Sequence, residues 1–206
     1  MSEFFYYLTT VLESGLSVFG IRAPYEQPRY EVIGHLPNDV EVRAYPARTA
    51  VETAMDDGND GEAFGKLFRY ITGANHGGQK IGMTAPVEQG PQKIAQRIAM
   101  TIPVEMSGTR MMRFFLPEDV VKAGPPVPDD PTVHVVNLPP ADLAVIRFSG
   151  TLSETVRATE AEKLSHALAG SRWRAQGAPS VLSYDPPFAI PFLRRNELAV
   201  DVKEGG

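Results

Sequence analysis

Phe64, Phe68 and Arg69 stand at i, i+4 and i+5, a spacing that puts two rings and a guanidinium on adjoining positions of a helix. A second set comes late in the chain: Tyr184, Phe188 and Phe192, with Arg194 and Arg195 beside them. Met83 and Met100 offer adaptable thioether surface. They sit in two near-copies, Lys80–Val87 and Arg97–Val104, with Met100 at 100 − 83 = 17 positions after Met83. Aromatic area, polarisable sulfur and cations together suit a flat macrocycle that carries carboxylates. A metal at the centre of such a ligand needs only one axial side chain. The candidates for that are His76, in Asn75-His-Gly-Gly78, and His134, in Val133-His-Val-Val136. His35 and His166 read as surface residues, His166 because it lies about 200° round its helix from Leu164. For each Phe and Met the competing role is core filling; for Arg194 and Arg195 it is pairing with Glu197.

Other chemistries find little support. The chain has no cysteine, which excludes disulfides, thiolate metal sites and a cysteine nucleophile. Gly-x-Ser-x-Gly, a nucleotide-binding glycine loop and His-Glu-x-x-His are all missing. The histidines show no metal-ligand spacing. Asp56-Asp-Gly-Asn-Asp60 resembles an acidic calcium loop but lacks the bidentate acid, so it reads as a turn and a helix cap. Net charge is −5, which argues against a nucleic-acid partner. No catalytic residue is assigned.

The elements that must position these groups follow from periodicity. Arg29–Leu36, Val40–Tyr45 and Thr49–Met55 read as strands, punctuated by Pro37-Asn-Asp39 and Pro46. Asp60–Thr72 reads as a helix capped by Asp60 and ended by Gly73, with Ala63, Phe64, Leu67, Phe68 and Ile71 as its apolar stripe. The two Met-Thr-Pro copies alternate with period two, Ile81, Met83, Ala85 and Val87 sharing a face, and read as an antiparallel hairpin. Arg110–Leu116 is a further strand and Val120–Pro131 a proline-rich loop. Thr132–Leu138 and Asp142–Ser149 are strands, and Thr151 with Glu154 forms a capping box for a helix ending at Gly170. Val181–Tyr184, the Asp185–Arg195 loop and the strand Glu197–Val202 complete the chain.

With 206 residues one main domain is expected, residues 29–206. Residues 1–28 are an N-terminal amphipathic helix and linker, whose Phe4, Leu8, Val11, Leu12, Gly15 and Phe19 share a face. It lacks the basic start of a signal peptide, and its roles are packing, self-association or contact with a membrane surface through residues 4–21. The expected location is cytoplasmic, with or without membrane association. Leu36-Pro37, strand, helix, Gly73 is mirrored by Leu138-Pro139, strand, helix, Gly170, at offsets of 138 − 36 = 102 and 170 − 73 = 97. A duplicated α+β unit is thus expected, its strands merged into one curved antiparallel sheet or distorted β-barrel with two helices outside.

Several segments in this order resemble the SOUL/haem-binding protein family: Tyr30-Glu-Val-Ile33, Val42-Arg-Ala-Tyr-Pro46, Phe68-Arg-Tyr-Ile-Thr-Gly-Ala-Asn75, Lys80–Val87, Tyr184-Asp-Pro-Pro187 and Phe192–Val200. The resemblance spans about residues 29–203 and is bacterial in type. It implies a distorted antiparallel barrel with two flanking helices and a haem or related porphyrin held between the first helix and a late loop. Phe64, Arg69 and Tyr184 match the family's contact positions; Phe68, Met83, Phe188 and Arg194 complete the candidate set. Ala44 stands where some members are proposed to place a histidine, and Gly61 where animal members can carry a basic residue. Three roles follow: a haem carrier or buffer, a haem-dependent peroxidase-like enzyme, or a module that has dropped haem for a protein or membrane partner.

Overall fold

The structure, a computed structural model, describes residues 25–55, 60–91, 96–97, 110–186 and 189–205. Its elements in chain order are β1 (Glu31–Leu36), β2 (Val40–Tyr45), β3 (Arg48–Met55), α1 (Asp60–Ile71), β4 (Val87–Pro91), β5 (Gln96–Arg97), β6 (Arg110–Phe115) and α2 (Glu118–Ala123), then β7 (His134–Leu138), β8 (Ala141–Phe148), α3 (Glu154–Ala169), β9 (Trp173–Ala175), β10 (Ser180–Ser183), a 3₁₀ turn (Pro191–Leu193) and β11 (Asn196–Glu204). The expected α+β class holds. The expected closure does not: the described strands run β1-β2-β8-β11-β10-β4-β6-β3-β7-β5, with β9 added on β11. The path ends at β1 and β5, so the sheet is not closed into a barrel.

That order is a palindrome about the β10–β4 pair. Exchanging β10 with β4, β11 with β6, β8 with β3, β2 with β7 and β1 with β5 returns the same path. The chain spacing agrees: β2 to β7 is 134 − 40 = 94, β3 to β8 is 141 − 48 = 93, α1 to α3 is 154 − 60 = 94, and β4 to β10 is 180 − 87 = 93. The duplicated unit is real, but its landmark differs from the one expected. β8 starts two residues after Pro139 and β3 two residues after Pro46, so Pro46 is the counterpart of Pro139, and the Leu36-Pro37 pairing is a chance echo. The opening strand of each unit crosses over, since β2 pairs with β8 and β7 with β3.

Both helices lie on one face of this sheet. α1 buries Ala63, Leu67, Tyr70 and Ile71 over Val51, Met55, Met112 and Phe114. α3 buries Leu164, Ala167 and Leu168 over Val42, Ala144, Leu198 and Val200. Gly73 follows α1 at φ 122°, the left-handed conformation that suits a helix end. α3 is capped by Ser153, whose side chain accepts from Val156 N–H at 3.2 Å, in place of the expected Thr151 box.

The described parts of the two Met-Thr-Pro copies do not pair as the expected hairpin. Only Val87 of the first copy enters a strand, and β4 pairs with β6 and β10, while β5 pairs with β7. Pro86, in a cis peptide with Ala85, has no N–H to give a ladder, so the strand begins after it. Alternation also fails there: Thr84 is buried, with Oγ1 donating to Phe115 O at 2.5 Å. Residues 98–104 of the second copy, with Met100, lie outside the described residues. So do the N-terminal helix and Asp56–Asn59. α2 occupies the start of the expected proline-rich loop, and β9 was not foreseen. Among the described residues no helix is long and apolar enough to cross a membrane.

Candidate functional site

The two faces of the sheet differ in chemistry. The face away from the helices carries a row of cross-strand neighbours: Glu52, Arg113, Glu88, Leu182, Glu197 and Arg147. All but Arg147 are buried. Arg113 Nε donates to Glu52 at 2.8 Å, and its Nη1 lies 3.7 Å from Glu88. Glu197 accepts from Arg43 Nη1 at 2.9 Å, Arg195 Nη2 at 2.7 Å and the Tyr184 hydroxyl at 2.9 Å. Burial would raise the Glu197 carboxyl, but Arg43 and Arg195 outweigh it and hold the group below its ordinary value. The Tyr184 hydroxyl is raised, first by burial and then by the Glu197 charge. Arg195 also caps the Tyr184 ring at 3.9 Å, and Arg43 the Tyr30 ring at 4.4 Å. This cluster ties β2, β11, the linker and the late loop together. Its carboxylate is saturated with donors, so it acts as a fastening.

The other face presents α1 to solvent, and here the expected stripe splits. Ala63 and Leu67 turn inward, but Phe64 and Phe68 remain 37% and 44% exposed. The buried stripe centres on 63, 67, 70 and 71, which leaves 64 and 68 about 20° and 60° past its Ile71 edge. Their rings are stacked at 6.0 Å with planes 13° apart, and Phe64 rests edge-on against Phe114 at 5.2 Å. Exposed apolar rings in contact with each other mark a surface that something else covers. Beyond Phe68 on the helix surface Gly65 keeps the surface low; Arg69 folds back over it, its Nη1 3.6 Å from where a Cβ at Gly65 would stand.

The segment Pro126–Asp130 frames the C-terminal end of α1. Tyr70 Oη donates to Pro126 O at 2.9 Å, His76 N–H to Val127 O at 2.9 Å, and Asp129 N–H to Ala74 O at 3.3 Å. Burial pushes the Tyr70 hydroxyl up to about 12. Asp130 is held below its ordinary value, first by Thr132 hydrogen bonds and further by Lys66 and Arg69. His76 is exposed, with Nε2 3.8 Å from Asp129. Arg69, His76 and the two acids therefore share one end of the aromatic patch.

The candidate set is thus divided. Phe64, Phe68 and Arg69 come together on α1, with His76 at the same end. Met83 is half-buried and packs into the core beneath α1. Tyr184 is buried in the ionic cluster, on the other side of the sheet. Arg194 donates from Nε to Ala189 O at 2.8 Å, while Arg195, not Arg194, makes the expected pair with Glu197. His134 sits opposite Glu52 on the inner face, with the sheet between it and α1. Phe188 lies outside the described residues. Val127, exposed beside the patch, and Gly65 escaped the sequence reading; a glycine between two aromatics four apart was the available signal.

Residues 25–201 match the family model of the SOUL heme-binding protein. The chain belongs to the SOUL haem-binding family. Heme-binding protein 1 of Sus scrofa is similar to this SOUL chain, 26% identical over 137 residues that cover 66% of it and 68% of the relative. Among solved structures, the EcmrR C-terminal domain superposes with a TM-score of 0.53 at 10% identity, covering 85% of this chain and 98% of that one. A hydrolase from Listeria innocua gives 0.53 at 14% identity, covering 82% and 93%. At such identities these two likenesses carry the SOUL fold alone.

The described residues fit a haem in part. The stacked Phe pair offers a flat apolar platform and Arg69 a cation for a propionate. No group of three or more His, Cys, Asp or Glu that could hold a metal occurs among the described residues.

Proposed function

We propose that this protein binds haem, or a related porphyrin, on the outward face of α1 and serves as a carrier or buffer without catalysis. The observation that carries this reading is the exposed, stacked Phe64–Phe68 pair beside Arg69, in a chain of a haem-binding family. A macrocycle laid on those rings would bury apolar area at roughly 25 cal/mol per Å² and place a propionate by Arg69. Segment Pro126–Asp130 and Val127 would close one side. His76 is the candidate axial ligand, because it stands at the same end of the platform and can reach outward. Met83 would support the site from beneath, while Tyr184 and Arg194 lie apart from it.

The test is a titration of apo-protein with hemin and with metal-free protoporphyrin, followed by Soret absorption. Phe64→Ala and Phe68→Ala should each weaken both ligands about tenfold, near 1.4 kcal/mol, with Arg69→Ala costing less. Unchanged affinity in all three would refute the site. A preference for hemin that disappears in His76→Ala would identify the ligand; equal affinity for the two porphyrins would show that iron ligation adds nothing. The reading goes with a cytoplasmic protein, and fractionation of a form lacking residues 1–22 checks whether those residues direct it to membranes.

A further inference from the structure

A second cavity lies in the other half of the molecule, at the C-terminal end of α3. It measures about 360 Å³ and is walled by Leu36 and Pro37 on one side and Ala167 on the other, with Trp173 and Gly34 at its base. Trp173 is only 5% exposed, yet its indole N–H has no protein acceptor among the described residues. The nitrogen lies 3.7 Å from where a Cβ at Gly34 would stand, so the absent side chain leaves the donor facing the cavity. The donor is therefore open to a partner that enters the cavity.

The mouth is basic. Arg172 stands over the Trp173 ring at 5.2 Å and pairs through Nε with Glu204 at 3.1 Å. The helix end itself would repel an anion, but one carbonyl of its last turn and one just past it are occupied. Leu168 O accepts from Gly170 and Ser171 N–H, and Ser171 O accepts from Arg174 Nη1 at 2.6 Å. An apolar slot with one inward N–H and a guanidinium at its rim is complementary to a small amphiphilic carboxylate.

We propose that this cavity binds a small organic anion, an aliphatic or aromatic carboxylate whose apolar part lies on Leu36, Pro37 and Ala167. Its carboxylate accepts from the Trp173 indole N–H and faces Arg172. The site is independent of the α1 platform and does not rest on the haem reading.

Trp173 is the only tryptophan of the chain, so its emission in apo-protein reports the site directly. Titration with octanoate should give a saturable change in Trp173 emission. Octanol should bind at least tenfold more weakly, and octyltrimethylammonium should give no saturable change. Gly34→Val, which fills the space before the indole nitrogen, should abolish the octanoate response; Arg172→Gln should weaken it about tenfold without moving the emission of the free protein. Both variants should keep the hemin Soret titration of the parent, which also shows that they are folded. No saturable response to octanoate, equal binding of octanol, or a response unchanged in both variants would each overturn the proposal.

Discussion

The two halves of the molecule are built to one plan and use their helices in opposite ways. α1 keeps a narrow buried stripe and turns two stacked rings and an arginine to solvent. α3 buries Leu164, Ala167 and Leu168, and its outward positions carry Glu162, Lys163 and His166. Its flanks hold the cavities, the one of about 360 Å³ described above and another of about 540 Å³ between Leu164, Trp173 and Val200. The palindromic sheet explains how such divergence is tolerated. Strand register and one apolar stripe per helix are enough to specify the architecture, which leaves the outer helical surfaces free to differ. The first half became a platform and the second a set of clefts.

What the halves have in common is the buried charge beneath them, and disturbing it should have the largest effect. Glu197→Gln removes the carboxylate that Arg43 and Arg195 share, leaving Arg43 with Glu41 alone, at 2.8 Å. Breaking a buried ion pair from one side costs about 3–5 kcal/mol, so urea unfolding at pH 7 should show a loss of that order. Arg113→Met, which leaves Glu52 and Glu88 buried together, should cost a similar amount. A loss under about 1 kcal/mol for one of them would mean that the halves do not share the device. The pH dependence has a definite sign. Glu197 is held below its ordinary 4.5 in the folded chain, so the native state binds fewer protons there than the unfolded state. Its contribution is complete above pH 4.5 and disappears as pH falls through the folded value. The Glu197→Gln variant should therefore show a shallower acid decline than the parent; parallel declines would assign acid sensitivity to other carboxylates.

A paired substitution on the two helices should separate the halves next. Leu164→Ala in α3 empties a core position and should cost about 2–4 kcal/mol while leaving hemin affinity as it was. Phe68→Ala in α1 removes a half-exposed ring and should cost under about 1 kcal/mol, yet weaken hemin about tenfold. Denaturation and Soret titration of both proteins check the crossing of effects. If both variants lose stability and hemin together, α1 is core and not platform.

Much of this was readable from residue order. Strand runs, both helices, Gly73, the duplicated unit and the Phe64–Arg69 spacing all rest on local periodicity and turn chemistry. The failures share a cause: they depend on which strands meet. Alternation in Ile81–Val87 looked like a strand, but the Thr84–Phe115 bond reflects the approach of β6, 31 residues on. Tyr184 looked available to a ligand because its partner, Glu197, is reached only once β10 and β11 pair. The inner row of charges was invisible for the same reason, since its members lie on five strands. Trp173 gave no periodic signal in a three-residue strand, and its open N–H depends on Gly34, at the opposite end of the chain.

The finest test of the platform is at Gly65. A methyl there would meet only Arg69 Nη1, at 3.6 Å, an ordinary contact. Alanine is favoured over glycine inside a helix by about 1 kcal/mol, so Gly65→Ala should raise stability by about that amount. On the platform reading the same methyl lies beyond Phe68, beside Arg69, and displaces the guanidinium from the macrocycle's edge, so hemin should bind about threefold more weakly. Stabilisation without a change in hemin affinity would put the ring nearer Val127 and His76, beyond the reach of residue 65. The two readouts move in opposite directions only if the low surface beside Phe68 and Arg69 is itself part of the site.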